Sequence, residues 1–545
     1  MAEMTKKYRL NKSNGVTYIY LDRPYWDKDK KSPRHESKCI GKLGPDGEEI
    51  YNAYYKSMQE AEKEAEQPIS VSKVERLGDR LIADKFIKET GLRKVMVKSF
   101  GKEIADKYLA LATYEMCTGR SFTYADDWAE ERGYDLDLSS QRISDLFKTT
   151  TQEGIDKFLK NWIEHNTKER SVLFDITSVS SYGKDNRFVE RGYNRDGEKL
   201  EQINMALLAS YSSTIPLWYS ILAGSISDVT VLNTVNETLG KLVSDRFTIT
   251  GDRGFYSESN MQFLVEKGYK FMIPVPNSVG WAKKLLAEKI PDIRLEGTVV
   301  TTDDENEMVY CTSVFERSSV WGRVWKHIYF DAGRKEVEIM KFNKRIAKLK
   351  PLVENDEIPE KDKDFCGEYF IVKENPKHGR KVELNMEKAR EFHDSCSCSW
   401  VILTNSEKDP EEALKFYRQR NDIELHFDDL KNRLDCKRLR THSEQTMNGK
   451  VFTCFLSLIL INALKNAVQA IPGKERKWWT WDEFLWKADS YSKTSFTGKY
   501  KPVYKVPTAG QRMIFKHLGI PYYWKGKLVK KGEDVVEEKQ PKMTD

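Results

Sequence analysis

The pattern of apolar and polar positions changes character several times along the chain. Residues 1–70 open on strand-like alternation such as VTYIYL from Val16, pass a basic stretch from Lys28 (KDKKSPRHESK), and end in a charged helical run, YYKSMQEAEKEAEQ. The PIS step at Pro68 reads as a linker. Residues 71–170 carry mainly helical periodicity, broken near DLDLSSQR. From Ser171 the texture shifts. SVLFDIT, INMALLASYSS and IPLWYSILAG predict three successive strands, and DVTVLNTVNETLGKLV predicts a helix. FTITGDRGFY carries a fourth strand into a turn, SESNMQFLVEKG is helical, and YKFMIPVP is a fifth strand. Residues 279–398 hold further strand candidates (GTVVTT, MVYCTSVF, VWKHIYF, EYFIV) around one basic helix. Residues 399–440 give a strand, WVILTN, and then a helix, and 441–545 are mostly helical with a polar tail.

The order β-β-β-α-β-α-β, completed by a later helix, resembles the ribonuclease-H fold. The expected class is therefore α/β: a ribonuclease-H-like mixed sheet core, formed by 171–278 and 399–440, interrupted by a mainly β insertion at 279–398. A strand and helix region (1–70) and a helical region (71–170) precede it, and a helical region with a polar tail (441–545) follows.

The segment Tyr417–Leu434, YRQRNDIELHFDDLKNRL, carries the most specific pattern. Read as one helix at roughly 100° per residue, it sets Tyr417, Arg420, Glu424 and Lys431 on one stripe. Phe416, Ile423, Phe427, Leu430 and Leu434 make the apolar stripe beside it. Asp409 suits the N-cap and Pro410 the first helical position. The plain alternative is a solvated face with intrahelical Arg–Glu pairing. His426 points away from the stripe, as a structural residue, and Asp428 reads as a surface acid.

Composition adds limits. A net charge of +6 over 545 residues does not by itself identify a nucleic-acid partner. Lys431–Arg440 and Lys341–Lys350 are nonetheless locally basic enough to contact phosphates. The eight cysteines show no zinc spacing and read as reduced thiols of a cytoplasmic protein. No leader is apparent, and the apolar run VFTCFLSLILINAL from Val451 is short for a membrane span, so it predicts a buried helix.

In the expected sheet, Asp175 on the first strand and Asp252 at the end of the fourth lie on neighbours, and Glu424 on a packed helix completes a trio. Three hard oxygen donors suit Mg²⁺ or Mn²⁺. Two such ions about 3.5–4 Å apart serve in-line phosphoryl displacement.

Tyr417, Arg420, Glu424 and Lys431 fit Y-x2-R-x3-E-x6-K, the YREK signature of bacterial insertion-sequence transposases of the DDE type. FDIT at Asp175, GDRGFYS at Asp252 and IPLWYSILAGSISDVTVL between them resemble the same family, in the branch with a β-rich insertion before the catalytic Glu. The resemblance spans about Ser171 to Leu464. It implies catalysis by Asp175, Asp252 and Glu424 holding two Mg²⁺ (or Mn²⁺) ions, and phosphate contacts from Tyr417, Arg420 and Lys431. It also implies that Trp400, just before an apolar strand, stacks on a flipped base; Trp281, Trp321 and Trp325 are alternatives. The activity implied is cleavage at terminal inverted repeats and transfer of the 3′-hydroxyl to target DNA. The partners implied are double-stranded DNA and a second copy of the chain in the synaptic complex, with no membrane. A plain metal-dependent nuclease and a non-catalytic DNA-binding relic are the competing readings.

Overall fold

The run SVLFDITSVSS folds as a strand, β1 (Ser171–Ser181), in which only Ser171 and Asp175 escape full burial. A strand covered on both faces needs continuous rather than alternating apolarity, and β2 (Gln202–Ser210) meets that need with every residue buried. β3 (Pro216–Ala223) follows, and β1, β2 and β3 pair antiparallel in that order. β4 (Thr248–Thr250) and β5 (Lys270–Val275) then run parallel, β4 beside β1 and β5 beside β4. The chain continues through β6 (Thr298–Val300), β7 (Val309–Ser318), β8 (Gly322–Asp331), β9 (Ser399–Thr404) and β10 (Arg438–Leu439). The full order is β6-β7-β8-β9-β5-β4-β1-β2-β3, with β10 paired parallel to β1, giving a ten-stranded mixed sheet.

This computed structural model describes residues 4–27, 32–66, 70–166, 171–183, 186–226, 231, 247–300, 308–375, 379–395, 397–434, 436–441, 443–476, 479–531 and 533. The helix expected at DVTVLNTVNETLGKLV, apart from Val231, lies outside the described residues, as do Pro68 of the expected linker, Lys28–Lys31 and Cys396. The described cysteines are all free thiols.

The expected mainly β insertion is mixed instead. Its strands β6–β8 do not form a layer of their own, because β9 pairs antiparallel with both β8 and β5 and so extends the core sheet. The rest is half helical: a 23-residue helix, Ala332–Glu354, packs on a hairpin of Phe370–Asn375 and Gly379–Leu384. Leu349, Val353, Cys366, Phe370 and Val382 form its small core. EYFIV thus becomes half helix and half strand, since Lys363–Tyr369 is helical before Phe370 extends.

Helices pack on the ten-stranded sheet or on one another, among them α1 (Gly78–Glu89), α2 (Lys102–Thr118), α3 (Gln152–Asn166), α4 (Pro410–Arg418), α5 (Asn421–Asp428), α6 (Glu444–Gln469) and α7 (Trp481–Asp489). The run from Val451 lies in α6, which opens on a Ser443–Thr446 capping box. By length and composition alone α6 could cross a membrane, yet 78% of its apolar window is buried inside the protein. Phe452 packs on Tyr108 of α2 and Phe158 of α3, with ring centroids 5.0 and 5.2 Å apart, and Phe455 packs on Tyr219 of β3. Each such ring buried contributes about 1.5–3 kcal/mol. Gly449 has no room for a Cβ, which would come within 2.4 Å of the Phe147 ring.

These elements belong to one compact unit, Arg76–Ser490 with Thr508–Tyr522 and Val529–Asp545. The other unit comprises Met1–Glu75, Tyr491–Pro507 and Tyr523–Leu528. It carries a four-stranded antiparallel sheet of Thr5–Leu10, Thr17–Asp27, Ser32–Leu43 and Glu49–Tyr51, closed by the helix Ala53–Glu66 over Ile19 and Ile40. Basic and aromatic side chains, among them Tyr8, Arg34 and Trp26, stand exposed on it.

Candidate active site

Asp175 sits in a notch. β4 pairs with β1 only at Ser171–Leu173, and β10 only at Ser180 and Ser181. Residues 174–179 therefore have no strand partner on that edge among the described residues. Asp252 follows the end of β4 by two residues and leads into a short 3-10 turn, Arg253–Phe255. Phe255 is buried against Phe174 at 4.9 Å between centroids, which fastens the Asp252 turn beside β1. At Gly251 a Cβ would stand 3.1 Å from the Ile273 and Phe255 side chains, tighter than ordinary contact.

The expected single helix through Tyr417–Leu434 is broken. α4 is capped as expected, with Asp409 accepting from the backbone N–H of Glu411 and Glu412 at 2.7 and 3.2 Å. It stops at Arg418, and the joint to α5 is held by short-range bonds from Arg420 N to Tyr417 O and from Ile423 N to Arg420 O. Gln419 donates to Tyr211 O at 2.5 Å and Phe416 stacks on Tyr211, so tertiary contacts tighten the turn. After α5 the chain widens into a π-helical turn, Asp429–Arg433. The apolar stripe survives this: Ile423, Phe427, Leu430 and Leu434 are buried, with Phe416 partly so. His426 is buried and structural; its Nε2–H donates to Thr214 O at 2.6 Å, and burial lowers its pKa to about 4.

Arg420 is the hub of the site. Its Nη1 donates to Asp175 Oδ2 at 3.1 Å and its Nη2 to Glu424 Oε1 at 2.7 Å, while Ile176 N–H donates to Asp175 Oδ1 at 2.8 Å. Burial pushes the Asp175 carboxyl up to about 6; Arg420 and Arg195 oppose that rise, and the nearby charge of Asp252 adds to it. Burial works against the charge on Arg420, but Asp175, Asp252, Tyr417 and Glu424 together hold its pKa above the usual value. Asp175 and Glu424 thus share one guanidinium through hydrogen bonds, and Asp252 acts on it through charge alone. Among the described residues no three His, Cys, Asp or Glu side chains close on a single point, and the Arg420 guanidinium bridges Asp175 and Glu424. As hard oxygen donors with a surplus of negative charge, the three acids fit a divalent cation.

Asp252, Trp400, Tyr417 and Arg420 line one cleft of about 490 Å³, together with Arg253 and Arg334. Trp400 is half-buried, stacks on Tyr329 at 5.4 Å, and buries its Nε1–H without a partner. The alternative tryptophans pack elsewhere: Trp281 donates to Tyr256 Oη at 2.9 Å, Trp321 is buried, and Trp325 packs on Phe315. Lys431, in the π-turn, donates to Asp196. A larger cavity, about 860 Å³, opens near Arg80, Leu109 and Tyr134 and shares no residue with this cleft.

The loop between β1 and β2 was not anticipated. Arg195 N–H donates to Ser178 Oγ at 2.9 Å, Asn194 Nδ2 to Ser180 Oγ at 3.1 Å, and Glu198 accepts from Arg438 at 2.7 Å. The run NRDGE signals a turn, but nothing in it tells that Arg195 lies within electrostatic reach of Asp175.

A model of the transposase DDE domain matches residues 166–460, more than half of the chain. The chain belongs to the transposase DDE domain family. The match takes in Asp175, Asp252 and Glu424. This family is one of DNA-cleaving and DNA-transferring enzymes that generally use divalent metal ions, and the chain is a DNA transposase of the DDE type. The transposase is similar to the piggyBac transposase in a cryo-EM structure of its synaptic complex with hairpin DNA. Identity is 12%, over 75% of this chain and 76% of that one, with a TM-score of 0.37. No curated protein matches the chain.

Proposed function

We propose that this transposase is of the bacterial insertion-sequence kind carrying the YREK signature, and that it cuts DNA at terminal inverted repeats and transfers the 3′-hydroxyl to target DNA. The observation that supports this is that Arg420 bonds to both Asp175 and Glu424, from separate elements, and feels the charge of Asp252. The sheet order β3-β2-β1-β4-β5, antiparallel for three strands and then parallel, supports a ribonuclease-H-like core. The proposed boundaries are 171–278 and 399–440 for that core and 279–398 for the insertion.

Asp175, Asp252 and Glu424 would hold two Mg²⁺ or Mn²⁺ ions. Such ions, when bound, neutralise the phosphodiester and lower the pKa of an attacking water. Arg420 suits a forked contact to phosphate oxygens, Lys431 a point charge, and the Tyr417 hydroxyl a further donor. Trp400, in the wall of the same cleft, offers a ring to a flipped base. The exposed basic and aromatic face of residues 1–70 and the helices of 71–170 are assigned to recognition of DNA ends. Two copies would hold two ends, acting on DNA in the cytoplasm.

A strand-transfer assay with a duplex made from the DNA flanking the gene, labelled at the 5′ end of the strand to be transferred, tests this. Joined product should form with Mg²⁺ and fall at least 100-fold in Asp175→Asn, Asp252→Asn and Glu424→Gln. Cut product without any joined product would make the chain a nuclease instead.

A further inference from the structure

We infer that Arg420 competes with the divalent cation for the carboxylates of Asp175 and Glu424, so that metal loads when a DNA phosphate draws the guanidinium away. This rests on the assignment of those acids as metal ligands. Both oxygens of Asp175 are already engaged, one by Ile176 N–H and one by Arg420, and the Oε1 of Glu424 is taken by the other arm of the same fork. A cation seeking these oxygens meets a positive charge that holds them first. The formal balance of three carboxylates against the Arg420 charge leaves the cluster acid-rich, which draws a divalent ion in once the guanidinium has left.

Arg420 has the means to leave. It stands at the joint between α4 and α5, where short-range bonds replace regular helix bonding. Its Nε–H is buried with no partner, so the fork is only partly satisfied where it lies. It also lines the cleft with Arg253 and Arg334, the cationic wall that a DNA backbone would meet. A phosphate is the stronger match for a guanidinium fork than two carboxylates on different elements gripped singly. Release of Arg420 then makes DNA binding and metal binding mutually reinforcing, as linkage requires.

Mn²⁺ titration of the full chain, read by electron paramagnetic resonance without DNA, tests the competition. Arg420→Gln should bind Mn²⁺ at least tenfold more tightly than the wild type, and Arg420→Lys, which grips one carboxylate at a time, should fall between. Adding Asp175→Asn to Arg420→Gln should weaken binding at least tenfold. If Arg420→Gln binds no more tightly than the wild type while Asp175→Asn weakens both, the competition is wrong and the acids remain metal ligands. If Asp175→Asn has no effect on Mn²⁺ bound by Arg420→Gln, the assignment of the acids itself fails. Should thermal melts show Arg420→Gln unfolded, Arg420→Lys decides alone, and a value equal to wild type overturns the competition. A duplex made from the flanking DNA should raise wild-type Mn²⁺ affinity toward that of Arg420→Gln. No rise would overturn the role of phosphate.

Discussion

Lys431 donates to both carboxylate oxygens of Asp196, at 3.0 and 2.8 Å, across 235 residues of chain. The lysine side chain is only 10% exposed, so the pair is no loose surface contact. It joins the π-turn after α5 to the loop between β1 and β2. If Lys431 contacts a DNA phosphate, it exchanges Asp196 for that phosphate. Lys431→Ala should then weaken duplex binding and reduce the salt slope of log K by about 1. Asp196→Asn, which frees the ammonium, should raise affinity at low salt about two- to tenfold by fluorescence anisotropy. A weaker Asp196→Asn would mean that the aspartate aims the lysine rather than restrains it.

Trp400 has one ring face on Tyr329 and lines the cleft with Asp252 and Tyr417. A base stacked on such a ring contributes about 1–3 kcal/mol. Trp400→Ala should therefore cost roughly 5- to 150-fold in binding of the flanking-DNA duplex, with Trp400→Phe losing much less. A 2-aminopurine placed at the terminal nucleotide should brighten on binding to the wild type and change in Trp400→Ala. An unchanged 2-aminopurine signal, with only a lower melting temperature, would leave Trp400 as a packing residue beside Tyr329.

Much of this site was legible in the sequence because it depends on local rules. Asp409 and Pro410 cap α4 as their chemistry requires, and the apolar positions from Phe416 to Leu434 find the core through every change of helix type. The stretch Val451–Leu464 is buried because no other surroundings in a folded chain suit it. What could not be read depends on distant partners. The break at Gln419 comes from Tyr211, some 208 residues away. Lys431 pairs with Asp196, 235 residues away, which no local rule gives. Strands β6–β8 alternate plausibly as a free-standing layer, and only the pairing of β9 on both sides shows that they widen the core sheet.

Arg132 ties two helices of the larger unit, α1 and α7, together. Its Nε donates to Asp79 of α1 at 2.7 Å and its Nη2 to Asp489 of α7 at 2.6 Å, with Arg132 and Asp79 nearly inaccessible. Burial raises the pKa of Asp79 despite the guanidinium beside it, so removing that guanidinium strands a desolvated acid. Arg132→Met should cost about 3–5 kcal/mol, seen as a lower melting temperature. Asp489→Asn should cost less, because the Asp489 side chain is itself more exposed than Asp79. Gly78→Ala should destabilise this junction as well, since a Cβ there would sit 1.8 Å from Ala488 O. A melting temperature unchanged in both Arg132→Met and Gly78→Ala would mean the junction opens before the rest of the unit.

His327 of β8 gives the larger unit a defined response to acid. Its Nδ1 lies 2.6 Å from Ser313 Oγ and its Nε2 3.2 Å from Glu407 O. A neutral ring satisfies both, donating from Nε2 and accepting at Nδ1. Burial lowers its pKa below the usual value, and the Glu407 carbonyl with the charges of Glu407 and Asp409 only partly offsets that. The unfolded chain therefore takes up a proton near pH 6.5 that the folded chain refuses. With more protons on the unfolded side, stability is complete above about pH 6.5 and declines as pH falls below it. The loss from this residue is at most about 2 kcal/mol at pH 5. His327→Gln keeps a donor toward Glu407 and cannot titrate. Its melting temperature at pH 7 should drop modestly, and the difference between pH 7 and pH 5 should shrink relative to wild type. It should not vanish, because His426 is also buried neutral and titrates in the same sense. A difference as large as that of the wild type would show that protonated His327 is accommodated by a rotated Ser313 hydroxyl.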